Sequence, residues 1–191
     1  MINIYTDGSS TKNRSGWGIV IIIPEVKIPV TDSGTEIGAT NQRMELTAAL
    51  KGLQWWAANA TETEEVTIYS DSAYFCNCYS DRWYVNWENN GWINSKKEPV
   101  ANQDLWEQII KFFHDPKVHI EKVKGHSGHT YNEMADKLAT GAIGSQTHKL
   151  QIDEINDKIN IELSEILLDY AMKKYPVDET IKRIRKACNC G

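Results

Sequence analysis

"VTIYSD", Val66 to Asp71, is a short β-branched run that ends in a carboxylate and turn chemistry. Alone it reads as one more strand; what precedes it decides the fold. Leu46, Ala49, Leu50, Leu53, Trp56 and Ala57 recur at intervals of three and four residues, which marks a helix from about Asn41 to Asn59 with Thr40 or Asn41 as its cap. A strand reached through a helix has no tight turn to fold back on, so it is expected beside an earlier strand in parallel, joined by a right-handed crossover.

Working outward, Ile2 and Ile4 alternate with polar neighbours and run into Thr6-Asp7-Gly8-Ser9, a strand ending in a turn. GWGIVIII (16–23) is continuous, as expected for a strand buried on both faces. Residues 28–38 make a weaker third strand, interrupted by Pro29 and Gly34. Short connections make these three an antiparallel meander. After Asp71 the pattern predicts a short helix from Ser72, an irregular tryptophan-rich stretch, a helix near Asp104 to His114 and a strand over 118–123. A last helix follows, where Thr130 and Glu133 have capping-box spacing. The predicted order is βββ-α-β-α-α-β-α, an α/β class.

The chain has 191 residues and 41% hydrophobic content, enough for one domain with a core and some length to spare. Glycine and polar residues in GAIGSQTH (141–148) suggest a linker, giving an expected division into 1–143 and a helical extension, 144–191. In the extension Ile155, Ile159, Leu163, Ile166, Leu167, Tyr170 and Ala171 form a helical stripe, which must be buried in the chain or against another copy. A monomer is favoured, with self-association through the extension as the alternative.

No apolar run approaches a membrane span, and the start MINIYTDGSS lacks the pattern of a secretory signal. Cys76/Cys78 and Cys188/Cys190 are paired too tightly for easy disulfides and lack the usual zinc spacing, so free thiols and a cytoplasmic setting are expected. The net charge of −5 speaks at first against a nucleic-acid partner. Residues 145–191 carry eight basic and eight acidic side chains, so the deficit lies in 1–144. If four of those acids hold two divalent cations, the deficit there falls to about −1 and the objection disappears.

Asp7 ends the first predicted strand and Asp71 the fourth. In parallel neighbours of an open α/β sheet the carboxyl ends of strands are where ligands bind. Glu45 lies in the first turns of the crossover helix, and Asp136 in the last helix. Each acid alone reads as a turn residue, a dipole partner or a solvated face. Together they gather at one sheet edge, and carboxylates so placed repel unless cations or protons neutralise them. Hard oxygen ligands suit Mg²⁺ or Mn²⁺, and two such ions ~4 Å apart clamp a phosphate for in-line displacement. The pattern points to phosphodiester cleavage.

TDGS (6–9), NQRMEL (41–46), SDSAY (70–74), WYVNWENNGW (83–92) with NQDLW (102–106), and VKGHSGHTYNEMADKLA (123–139) stand in the order and at nearly the spacing found in type 1 ribonuclease H. The chain resembles that family, particularly its bacterial form, over about residues 1–143. The resemblance implies the ribonuclease-H-like fold, a five-stranded mixed sheet (three antiparallel strands, then two parallel) with helices on both faces. It also implies Mg²⁺-dependent endonucleolytic hydrolysis of the RNA strand in RNA–DNA hybrids, leaving 5′-phosphate and 3′-hydroxyl ends.

On that resemblance Asp7, Glu45, Asp71 and Asp136 match the four metal-binding acids, and His126 the family's mobile histidine, which assists proton transfer or product release. Gly125 and Gly128 would give its loop freedom to move. Glu45, Asn41 and the backbone at Gly8 and Ser9 match contacts to the RNA strand. Asn13, Thr40 and Asn41 match a pocket for a DNA phosphate. Lys96 and Lys97 match a basic protrusion along the DNA strand, with Asn102 and Trp106 beside it. The protrusion departs from the pattern: Glu88, Asn89 and Asn90 stand where the bacterial form is more basic. Two alternatives stay open, a non-catalytic hybrid-binding module and another ribonuclease-H-like nuclease or recombinase acting on DNA.

Overall fold

In the computed structural model, residues 1–143 are described except Asn13, Glu25, His126 and Ser127. Of the expected linker, residues 141–143 are helical rather than irregular, and the rest of it, with the helical stripe, Cys188 and Cys190, lies outside the described residues. Strand β1 (Ile2–Ser10) pairs antiparallel with β2 (Ser15–Ile22), which pairs antiparallel with β3 (Val30–Glu36). Helix α1 (Asn41–Asn59) then carries the chain across to β4 (Val66–Ser70), which lies parallel to β1 with Tyr5 opposite Tyr69. The last strand, β5 (Val118–Lys122), is parallel to β4. The five strands run in the order β3-β2-β1-β4-β5, the mixed sheet expected.

The crossover is held by apolar burial. Met44, Leu46, Leu53 and Trp56 of α1 are buried with Ile2, Ile4, Ile19, Ile21, Val66 and Ile68 of the sheet, each worth roughly 1.5–3 kcal/mol when fully removed from water. Thr40 caps α1, its side chain accepting from the Arg43 amide. Arg43 in turn bridges Glu36 of β3 and both carboxylate oxygens of Asp104, tying the start of α1 to its neighbours.

Ser72 caps α2 (Ala73–Ser80). The tryptophan-rich stretch is not irregular, as the sequence predicted, but a helix, α3 (Trp83–Asn90). It starts from Arg82 in the left-handed region without a side-chain cap and stops at Gly91, also left-handed. The start signal is absent, and the helix rests on tertiary packing, with Tyr84 and Trp87 buried. Helix α4 (Gln103–Phe113) lies against α1, with Trp106 and Ile109 buried.

Residues 130–143 are helical and are called α5. The predicted capping box is corrected: Thr130 already lies inside the helix, and the Glu133 carboxylate accepts from the Gly128 amide, 3.2 Å away. Helix α5 sits close on β2. A Cβ at Gly16 would meet the Ala139 carbonyl oxygen at 2.3 Å, and one at Gly18 the Ala135 carbonyl oxygen at 2.5 Å. With Gly18 opposite Asp7 in the β1–β2 register, Asp7 shares the sheet face that α5 covers.

Candidate active site

Asp7 leaves the sheet toward α5, whereas Gly8, the next residue, turns toward α1. A Cβ on Gly8 would stand 2.2 Å from the Glu45 amide nitrogen, so only glycine lets the end of β1 reach the start of α1. That approach brings Glu45 to the sheet edge where Asp7 and Asp71 emerge. Asp71 follows β4 directly, and its Oδ2 is where a Cβ on Gly125 would fall, at 2.5 Å. Gly125 therefore serves close packing of the loop on Asp71, while Gly128, at φ 83°, is the glycine that needs the left-handed region.

The four acids sense one another. Asp7 is buried, and burial pushes its pKa up to about 7; Asp71, Asp136 and Glu45 push in the same direction, opposed by the Gly8 amide, which donates to Oδ1 at 2.7 Å. Glu45 is also raised, first by burial and then by Asp71. Its two oxygens are fixed from opposite sides: Asn41 Nδ2 donates to Oε1 at 2.8 Å and the Ser72 hydroxyl donates to Oε2. Ser72 thus caps α2 and orients Glu45, a second role its place after Asp71 did not announce.

Among the described residues no three histidine, cysteine, aspartate or glutamate side chains close into a ready-made metal cage. The acids stand near one another without closing around a point. Their donor chemistry fits a hard divalent cation: Mg²⁺ keeps several waters and takes one or two carboxylates, so it requires no closed cage. A carboxylate pushed to about 7 beside other acids is also the electrostatic mark of a site short of positive charge.

His126 and Asn13 lie outside the described residues. Thr40 and Asn41 are exposed at the start of α1, Ser9 is half-buried near the end of β1, and Lys96 and Lys97 are exposed beyond α3. Beside them runs a groove of about 540 Å³ lined by Gln42, Tyr74, Trp83, Trp87, Asn90 and Lys96, among others. Asn102, half-buried with left-handed backbone, precedes α4. Trp106 lies under the groove rather than on its surface: it is fully buried, and its Nε1 donates to Tyr74 Oη at 3.2 Å. Tyr74 is the hub of the wall, within 5.3–6.3 Å of Trp83, Trp87 and Trp106 by ring centroids. The sequence reading passed over it, although its place three residues after Asp71 was a usable signal.

Comparison with known proteins agrees with this geometry. The family described as RNase H matches residues 1–144. A ribonuclease H from Syntrophomonas wolfei is 47% identical over 152 residues, covering 75% of this chain and 97% of its own. Among solved structures, LC9-RNase H1, a type 1 RNase H with the type 2 active-site motif, superposes with a TM-score of 0.63 at 26% identity, covering 76% of this chain and 72% of its own. A foamy viral protease-reverse transcriptase in complex with RNA/DNA hybrid gives 0.64 at 26% identity, over 74% of this chain and 20% of that one. The chain belongs to the ribonuclease H family, in its bacterial form.

Proposed function

We propose that this chain is an endonuclease that hydrolyses the RNA strand of RNA–DNA hybrids, leaving 5′-phosphate and 3′-hydroxyl ends, with Asp7, Glu45, Asp71 and Asp136 holding two Mg²⁺ ions, or Mn²⁺ in their place. The observation that carries it is the crowding of these acids around Asp7, where the β1–β4 ladder ends and Asp7 is raised to about 7. The chemistry supplied by the cations, when bound, is Lewis acidity, which activates water and offsets charge on the leaving 3′ oxygen.

The chain's own residues do the rest. Asn41 and Ser72 hold the Glu45 carboxylate in one orientation, so it can accept from a 2′-hydroxyl, the group that separates RNA from DNA. Backbone groups at Gly8 and Ser9 line the same side. His126, the residue after Gly125, moves a proton or helps product leave. Asn13, Thr40 and Asn41 take a phosphate of the DNA strand, and Lys96, Lys97, Asn102 and the aromatic groove follow that strand. The hybrid-bound foamy viral relative supports this partner. Buried free thiols at Cys76 and Cys78, and the absence among the described residues of any helix long and apolar enough to cross a membrane, accord with a cytoplasmic setting.

Incubation with labelled RNA–DNA hybrid, duplex RNA and duplex DNA, with Mg²⁺ or EDTA, tests the proposal. Cleavage confined to the RNA of the hybrid and blocked by EDTA is expected. Hybrid binding without cleavage would favour a binding module, and cutting of duplex DNA a recombinase-like enzyme. Because the family match ends at residue 144, a chain stopped after Gly144 is expected to keep the same cleavage pattern.

A further inference from the structure

Three of the four acids come from elements that also carry a tyrosine. Tyr5 stands two residues before Asp7 on the same face of β1, Tyr69 two residues before Asp71 on β4, and Tyr131 on the first turn of α5, ahead of Asp136. Tyr5 and Tyr69 are register partners, and their rings stack with centroids 4.7 Å apart and planes 13° from parallel. That spacing is the one parallel strands impose, so the stack follows the ladder directly. Tyr131 leans on Tyr5 at 5.4 Å and 44°. The trio therefore joins β1, β4 and α5 beside the carboxylates those elements present.

The forces at the two levels are opposed. Asp71 and Asp136 both raise the pKa of Asp7, so the acids push their elements apart, whereas aromatic pairs attract by about 0.5–1.5 kcal/mol each beyond their burial. Helix α5 is pinned along its middle, where Ala135 and Ala139 lie on Gly18 and Gly16. At its first turn the ring contact described is Tyr131 on Tyr5. Resting on the proposed metal-dependent function, we infer that Tyr5, Tyr69 and Tyr131 form an aromatic staple, with Tyr131 as a positioning residue that holds the start of α5, and with it Asp136, on the side of Asp7 and Asp71. The rings act and the Tyr131 hydroxyl does not.

The test compares wild type, Tyr131→Phe, Tyr131→Leu and Tyr131→Ala as full-length proteins. Mg²⁺ binding is followed by isothermal titration calorimetry without substrate, hybrid cleavage across Mg²⁺ concentrations, and folding by circular dichroism. Tyr131 is 37% exposed, so all variants should fold. The Leu and Ala variants should bind Mg²⁺ about tenfold more weakly, as for loss of a group that orients a ligand. Their kcat should drop at limiting Mg²⁺ and recover at saturation, with KM for the hybrid unchanged and the Phe variant matching wild type. Wild-type Mg²⁺ affinity in folded Leu or Ala variants would overturn the staple, and so would a Phe variant as weak as Ala. A wild-type protein that bound no Mg²⁺ would overturn the metal-dependent reading itself, a separate failure.

Discussion

The acid crevice and the aromatic groove share α1, with Glu45 bordering one and Gln42 the other, yet they are finished to different degrees by folding. In the groove Tyr74, Trp83, Trp87 and Trp106 pack on one another, and the polar tip of Trp106 is satisfied by Tyr74. In the crevice Asp71, Asp136 and Glu45 raise the pKa of Asp7 and Asp71 raises that of Glu45, while Gly8 donates to Asp7, and Asn41 and Ser72 donate to Glu45. A surface completed by its own side chains can wait for ligand unchanged. A cluster of like charges stores free energy that a divalent cation would release on binding.

Four measurements would sharpen or break that contrast. The largest effect is expected in the crevice: Asp71→Asn should lower kcat on hybrids by at least about 10³-fold while leaving hybrid affinity within about tenfold. Retention of a tenth of the wild-type rate would remove the metal role. Next, Trp87→Ala, which empties the buried centre of the aromatic wall, should cost about 3–5 kcal/mol and lower Tm by ten degrees or so, with Mg²⁺ affinity unaltered. A shift in Mg²⁺ affinity would show that the two regions are coupled.

The third concerns protons. Asp7 is raised from 3.8 to about 7, so between about pH 4 and pH 7 the folded chain binds a proton that the unfolded chain has lost. Without divalent cation, Tm should therefore fall by several degrees as pH rises through that window and level off above it. Saturating Mg²⁺ should flatten or reverse the slope, and Asp7→Asn should reduce it to the smaller part that Glu45, also raised by burial, contributes. A Tm rising with pH in EDTA would contradict the charge crowding. The smallest effect belongs to the groove rim: Lys96→Ala with Lys97→Ala should raise KM a few-fold at moderate salt, leave kcat alone and reduce the salt slope by up to about two.

Much of this was legible in the sequence because it rests on periodicity. The change from period two to three-and-four after Thr40 marked α1 and so the parallel β4, and the bounds of α1 match the reading, Asn41–Asn59. That the four acids would meet was legible from the crossover topology, although Asp7 does not end its strand as expected, since β1 runs on to Ser10 against β2, and Asp136 lies well inside its helix. Helix α3 escaped because it lacks a cap and is held by Tyr84 and Trp87 packing inward, a tertiary cause. Thr130 misled as a cap since a capping box is only a spacing, and Glu133 spends its carboxylate on Gly128 instead. The tyrosine staple is invisible along the chain: its members are distant in sequence, and only the β1–β4 register makes Tyr5 and Tyr69 neighbours.

That register also orders events in time. β1 is synthesised before its partners: the parallel strand that covers its second edge follows only after the meander and α1, and α5 comes later still. At ~5–20 residues per second the interval between synthesis of Asp7 and of Asp136 is on the order of ten seconds. During it the nascent meander has an open, apolar edge on β1, a liability for pairing with other chains that β4 ends. The same order of synthesis means that a product of interrupted translation that stops before Asp136 never assembles the set of four acids.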